Sequence, residues 1–373
     1  MAGGAKVVQA GEARSARIES LRALAALSVL VSHVWLFSHG GAGSAYPDRL
    51  VAAGRYGVWL FFALTGYLLF WPFVRSRLAG GGPIDLRRYA LNRALRILPL
   101  YYVVVVVLLV VDQHGGNAGQ WLRFGTITES FFRSTVGTVD TPIWSLAVEL
   151  QFYLLLPLLG WLLLRSGSAR RAALWLALLA GLSLCVWFVK VHSPASPDLR
   201  WRYSLPATFF SFTAGMLLAL VRARVRHVPA AATTLLLGGA GLWLVAAAAV
   251  RWAEPLCALG AALIVGALVL PVREGPLDRA LGFRPLAALG IASYSLYLWH
   301  VPVIRSLHSH TGWATLPLLA GGAALAVAVA ALSYRTVERP FLGLRRRWGP
   351  VAAEPSGAPL AEGSAPQHET AVA

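Results

Sequence analysis

Four stretches of this 373-residue chain place ionisable side chains inside apolar sequence, where they are costly to keep and usually functional. The first, Arg17–Phe37, carries Glu19, Arg22 and His33. Eleven residues separate Arg22 from His33, about 20° beyond three helical turns with about 16 Å of rise, so both lie on one face of a helix. The second, Arg88–Tyr102, carries Arg93 and Arg96, which share a face at a spacing of three and can hold phosphates. Read otherwise, these two join Arg87 and Arg88 as topology determinants. The third, Pro142–Pro157, carries Glu149 about 12 Å from the start of its segment, while His33 lies about 7 Å from the end of its own. At those depths the two can meet, and a carboxylate beside a histidine fixes its tautomer and raises its basicity. Pairing of Glu149 with Arg55 is the structural alternative. The fourth, Ser293–Pro302, carries His300 among Tyr and Trp side chains that also suit an interfacial belt.

A histidine base with a carboxylate partner and a basic mouth suits general-base activation of a hydroxyl beside a phosphate-bearing substrate. Trp144, Ser145 and Tyr153 are candidate donors to an oxyanion formed there. Neither a nucleophile motif nor a metal-ligand spacing is present. A proton-coupled transporter is the rival reading, with Arg22, His33 and Glu149 as a relay. Paired arginines at one mouth and the lack of an inverted repeat count against it.

The elements that must position these residues are membrane helices. Hydrophobic residues make up 57% of the chain and charged residues 13%, with mean hydropathy +0.62. A soluble domain carries about 25% charge. The apolar residues come in blocks near the roughly 20 needed to span a bilayer, where the backbone must bond within the segment. The expected fold is therefore an all-α polytopic bundle of about ten transmembrane helices, at 18–38, 54–74, 88–112, 141–164, 170–190, 205–223, 230–250, 253–271, 286–306 and 314–336. Residues 1–17 read as a cytoplasmic segment, 18–342 as the transmembrane domain and 343–373 as a largely disordered cytoplasmic tail. The first apolar block reads as a retained span of a multi-pass cell-membrane protein. The loop at 113–140 is the longest on the outer side and can cap a site.

The formal charge of +17 does not indicate nucleic acid, because the basic residues sit in short clusters between apolar blocks. With both termini in the cytoplasm, 21 of the 33 Lys and Arg fall in inner segments and nine in outer ones. That is the positive-inside pattern. Cys185 and Cys257 lie in or beside apolar blocks and support neither a disulfide framework nor a metal site.

The chain resembles the acyltransferase-3 family of multipass membrane acyltransferases over about 18–342. The resemblance rests on Glu19–Leu27 with His33, Gly57–Tyr67 (GVWLFFALTGY), Arg93–Pro99 (RALRILP), Trp144–Tyr153 (WSLAVELQFY), Ser293–His300 (SYSLYLWH) and Glu338–Phe341 (ERPF), in order. It implies a ten-helix core and transfer of an acyl group from acyl-CoA, a co-substrate and not a bound cofactor, to hydroxyls, commonly of sugars. The acceptor is then a glycan or a small glycosylated natural product. The family's arginine, ten residues, then histidine pattern falls on Arg22 and His33, and its paired-arginine donor motif on Arg93 and Arg96. Thr65 stands where serine is more usual, and Leu150 follows Glu149 where a second glutamate is often seen. Without that second carboxylate, no role needing two can be assigned there. The ERPF segment is expected to end the last helix and fix topology.

Overall fold

The computed structural model describes residues 2–41, 43, 45–191, 198–249 and 252–345. Ten helices dominate: α1 (Ala2–His39), α2 (Gly57–Leu78), α3 (Leu86–Val111), α4 (Ile143–Leu164), α5 (Ala169–Val191), α6 (Leu205–Arg224), α7 (Ala232–Ala248), α8 (Ala253–Val269), α9 (Ser293–Thr311) and α10 (Thr315–Ser333). All ten expected stretches fall on helices, and no strand forms among the described residues. Seven helical segments are long and apolar enough to cross a membrane. An eighth results if Arg284–Ile291 and α9, bent 73° apart, count as one broken span. The two remaining, α7 and α8, have 17 residues each. At 1.5 Å per residue that is about 25 Å, short of a hydrocarbon core of about 30 Å. The protein is a multi-pass all-α membrane bundle, and the expected ten spans are approximate: seven, or up to eight, full-length spans occur among the described residues. The expected tail at 343–373 lies almost wholly outside the described residues.

Polarity is arranged as a bilayer requires. Leu154 and Leu316 point outward, 74% and 77% exposed, while His300 and Glu338 are buried at 1% and 3%. Two close crossings set the geometry. Gly66 of α2 lies against the Phe212 carbonyl of α6, and Gly215 of α6 against the Ala63 carbonyl of α2. A Cβ at either would sit within 2.2 Å of that oxygen, so only glycine permits this approach. Gly290 likewise rests on the Glu19 carbonyl of α1, where a Cβ would come within 1.8 Å. Around these crossings α5 packs on α6, α7 on α8, α9 on α10, and α1 on both 284–291 and α9.

One expectation is corrected. The ERPF segment does not end the last helix: after α10 the chain passes through a π-helical turn, Tyr334–Glu338, into another helix, Arg339–Arg345. The wider π turn rotates Glu338 inward. Its carboxylate accepts from the backbone N–H of Ser295 at 3.0 Å and from the Ser295 hydroxyl. It also pairs with Arg96 at 3.5 Å.

Candidate active site

The end of the bundle at residues 15–22 of α1 is termed proximal, and the end at 33–39 distal. The single face of α1 that holds Arg22 and His33 lines two cavities, one above the other. The proximal cavity, about 300 Å³, takes Glu19 and Arg22 from α1, Thr65 from α2, Arg93 and Arg96 from α3, Ser145, Glu149 and Tyr153 from α4, and Tyr294 and Tyr297 from α9. The distal cavity, about 90 Å³, contains His33, Arg55, Trp144, Arg202, Tyr203 and Glu254. Val58 and Tyr297 line both, and the Tyr297 hydroxyl is hydrogen-bonded to Ser145 Oγ at 2.8 Å. Ser145 Oγ donates its own proton to the Pro142 carbonyl at 2.9 Å, so Tyr297 is the donor across this partition.

In the proximal cavity the arginines are only partly paired. Arg22 pairs with Glu19 at 3.3 Å and Arg96 with Glu338 at 3.5 Å. Arg93 has no ion pair among the described residues; its guanidinium lies 5.8 Å over the Tyr153 ring, and its buried Nε has no hydrogen-bond partner. Arg96 Nη2 is likewise buried and unpartnered. Glu149 accepts from the Thr65 hydroxyl at 2.7 Å and from the Tyr153 hydroxyl at 2.6 Å. Three arginines face three carboxylates, so formal charge balances here, and the unpartnered Arg93 Nε and Arg96 Nη2 are the donors left for an anion at this mouth.

His33, which lines the distal cavity, contacts His300 behind it, and both rings are oriented by backbone carbonyls, which can only accept. His300 Nδ1–H donates to the Tyr297 carbonyl at 2.8 Å, leaving Nε2 of the neutral ring as an acceptor. His33 Nδ1–H then lies between the Val29 carbonyl at 2.9 Å and His300 Nε2 at 3.2 Å. The nitrogen left with a lone pair is His33 Nε2.

The structure brings together Arg22, Arg93, Arg96, Glu149, Ser145 and Tyr153 in one cavity, and His33 and Trp144 in the other. It does not set Glu149 beside His33. At the level of His33 lie Pro142, just before α4, and Trp144 of α4, five or more residues and about 7.5 Å distal to Glu149. His300 occupies the partner's position, and Arg55 bonds the Tyr56 hydroxyl at 2.9 Å, not Glu149. Of the proposed oxyanion donors, Ser145 and Tyr153 have their protons committed, and Trp144 stacks on Tyr203 at 4.5 Å. The tyrosines near His300 face the interior and do not form an interfacial belt.

Sequence reasoning missed Arg202, Tyr203, Glu254 and Tyr297 as lining residues. Glu254, a lone acid at the head of an apolar helix, was a usable signal; it accepts from Arg202 and from Trp187 Nε1, both at 2.7 Å. Tyr203 carried none, since nothing in the chain marks which tyrosine a remote histidine will face.

Comparison with known proteins adds a family. A family model described as an acyltransferase domain matches residues 15–335. The chain is 27% identical over 363 residues to a peptidoglycan O-acetyltransferase, OatA, of Listeria monocytogenes, covering 87% of this chain and 55% of that protein. It is 28% identical over 385 residues to the acyltransferase MdmB of Streptomyces mycarofaciens, covering 91% and 95%. Nodulation protein 10 of Rhizobium leguminosarum bv. viciae is 28% identical over 367 residues, covering 87% and 92%. The chain thus spans about half the length of the first relative and nearly all of the other two. No solved structure matches it.

Proposed function

The chain belongs to the acyltransferase family whose model spans residues 15–335, and from that membership we propose that it is a membrane O-acyltransferase moving a short acyl group from acyl-CoA to a hydroxyl. The acceptor is a glycan or a small glycosylated natural product. A relative named as a peptidoglycan O-acetyltransferase supports the glycan class, and the acyltransferase MdmB, matched over nearly its whole length, supports acyl transfer itself. The observation that carries the reading is the pair of stacked cavities meeting at Val58 and Tyr297, with arginines that keep unpartnered N–H donors below and a tautomer-fixed histidine above.

The proximal end faces the cytoplasm, where Lys and Arg concentrate in the connecting segments. Acyl-CoA phosphates bind Arg93 and Arg96 with help from Arg22, and the pantetheine arm extends up the proximal cavity. For the thioester to reach His33, Tyr297 must release Ser145. His33 Nε2 takes the proton of the acceptor hydroxyl as its oxygen attacks the thioester carbonyl. The C–O bond forms, the C–S bond breaks, and the His33 imidazolium returns the proton to the departing thiolate. His300 positions His33 by accepting from Nδ1–H. The distal cavity, about 90 Å³, favours acetyl or propionyl over long chains. Arg22, Glu149 and His33 are split between two cavities, which does not favour a continuous proton relay.

The test uses membranes containing the protein, supplied with radiolabelled acetyl-CoA and either peptidoglycan fragments or a macrolide. Label in a base-labile ester on one acceptor, with stoichiometric free thiol, is the expected result. No thiol release with acetyl-, propionyl- or butyryl-CoA from folded protein overturns the reading.

A further inference from the structure

A second distal cavity, about 120 Å³, adjoins the one holding His33, and the two share Arg55 and Tyr56. Its other lining includes Arg49 and small residues, Ala52, Ala246 and Ala247, with no carboxylate. The short helix Tyr46–Ala52 that carries Arg49 is pinned to α7 by the Tyr46 hydroxyl, which donates to the Leu244 carbonyl at 3.0 Å.

Charge along this joined groove is unbalanced. Among the described residues Glu254 is the one acid lining either cavity, and Arg202 takes it. Arg55 donates to a neutral group, the Tyr56 hydroxyl at 2.9 Å, and sits 4.7 Å over the Tyr56 ring. Arg49 keeps a buried Nε with no hydrogen-bond partner. Asp48 is beside it in sequence, yet no ion pair involves Arg49, Arg55 or Asp48 among the described residues. Holding partly buried guanidinium groups without a counter-charge is costly, and an anion bonded to both offsets that cost. Topology does not explain them, since arginine is disfavoured on the outer side.

We propose that this groove receives an oxyanionic group of the acceptor, a carboxylate, sulfate or phosphate ester, with Arg49 and Arg55 as its ligands, while the reacting hydroxyl reaches His33. The acceptor is therefore an anionic glycan or glycoside. The proposal rests on the reading of the His33 cavity as the site of transfer, but its test needs no acyl transfer. Thermal unfolding of the full chain is followed in phosphatidylcholine nanodiscs with methyl β-D-glucuronide, methyl β-D-glucoside 6-sulfate or uncharged methyl β-D-glucoside, with the donor site held saturated by coenzyme A throughout. A ligand that binds only the folded state raises the midpoint as it saturates. The expected result is a saturable, salt-sensitive rise with the two anions and none with the uncharged glucoside. Arg49→Gln and Arg55→Gln lose it, and Arg55→Lys retains part of it, each unfolding normally without ligand. If a Gln variant fails to fold, Arg55→Lys against wild type decides by its weaker response. An equal rise with the uncharged glucoside, an undiminished response in the variants, or no response to either anion overturns the proposal. Stabilisation by phosphatidylglycerol alone also overturns it, and assigns the arginines to lipid headgroups.

Discussion

The two histidines divide their labour through their hydrogen bonds. Because His300 Nδ1–H is held by the Tyr297 carbonyl, His300 can accept from His33 and leave His33 Nε2 unprotonated. Replacing His300 by Phe removes that acceptor, and kcat is expected to fall and its pH profile to shift while KM for acetyl-CoA changes little. An unchanged pH profile would reduce His300 to packing. Arg93→Gln should act in the opposite way, raising KM for acetyl-CoA roughly tenfold or more, the worth of a lost charge-assisted bond, with kcat nearly preserved. A fall in kcat alone would remove Arg93 from donor binding. These residues were legible in the chain because each is an ionisable group in apolar sequence. The pairing of His33 with His300 instead of Glu149 was not legible. Depth along each helix can be counted from rise per residue, but the rotation and axial offset of α4 against α1 depend on packing.

At the scale of elements, the α2–α6 crossing fixes Thr65 and hence Glu149, because Gly66 and Gly215 let the backbones touch. Gly215→Ala would press a methyl into the Ala63 carbonyl of α2, and the expected outcome is loss of monodisperse protein on detergent extraction. Recovery at wild-type yield would mean that the crossing tolerates separation. The π turn makes a comparable commitment: Glu338→Ala strips Arg96 and Ser295 of their buried acceptor, a loss on the order of 3–5 kcal/mol for a broken buried pair, read as a lowered unfolding midpoint. The sequence offered ERPF as a helix stop because it contains Pro340, yet proline is tolerated early in the helix that begins at Arg339. The loop between α3 and α4 adds a pH dependence. Burial raises the Glu129 carboxyl to about 7 and lifts Asp140 well above the usual carboxylate range, with Arg305 partly opposing the latter. Both raised values favour the protonated folded loop, so its stability is fullest below the unfolded carboxyl range and falls as pH rises through about 7. Hydrogen exchange in residues 126–140, corrected for intrinsic rates, is expected to speed up from pH 5.5 to pH 8 in wild type and much less in Glu129→Gln. Equal pH dependence in both would contradict this origin.

Across the whole molecule, the two cavities give the bundle a direction, with an arginine-lined proximal mouth and a histidine-bearing distal pocket separated by one hydrogen bond between Tyr297 and Ser145. The all-α membrane class and the ten helical stretches were legible because backbone satisfaction in lipid leaves few options. The division into two cavities was not legible, since it depends on which side chains of α2, α4 and α9 meet across the bundle axis. The most direct test of the account compares wild type with His33→Gln in proteoliposomes loaded with radiolabelled acetyl-CoA and supplied with acceptor outside. The account predicts acetyl ester on the acceptor in wild type and a loss of roughly 10²- to 10⁴-fold in the variant, the usual worth of a general base, with acetyl-CoA still bound. Transfer by His33→Gln at the wild-type rate would contradict it.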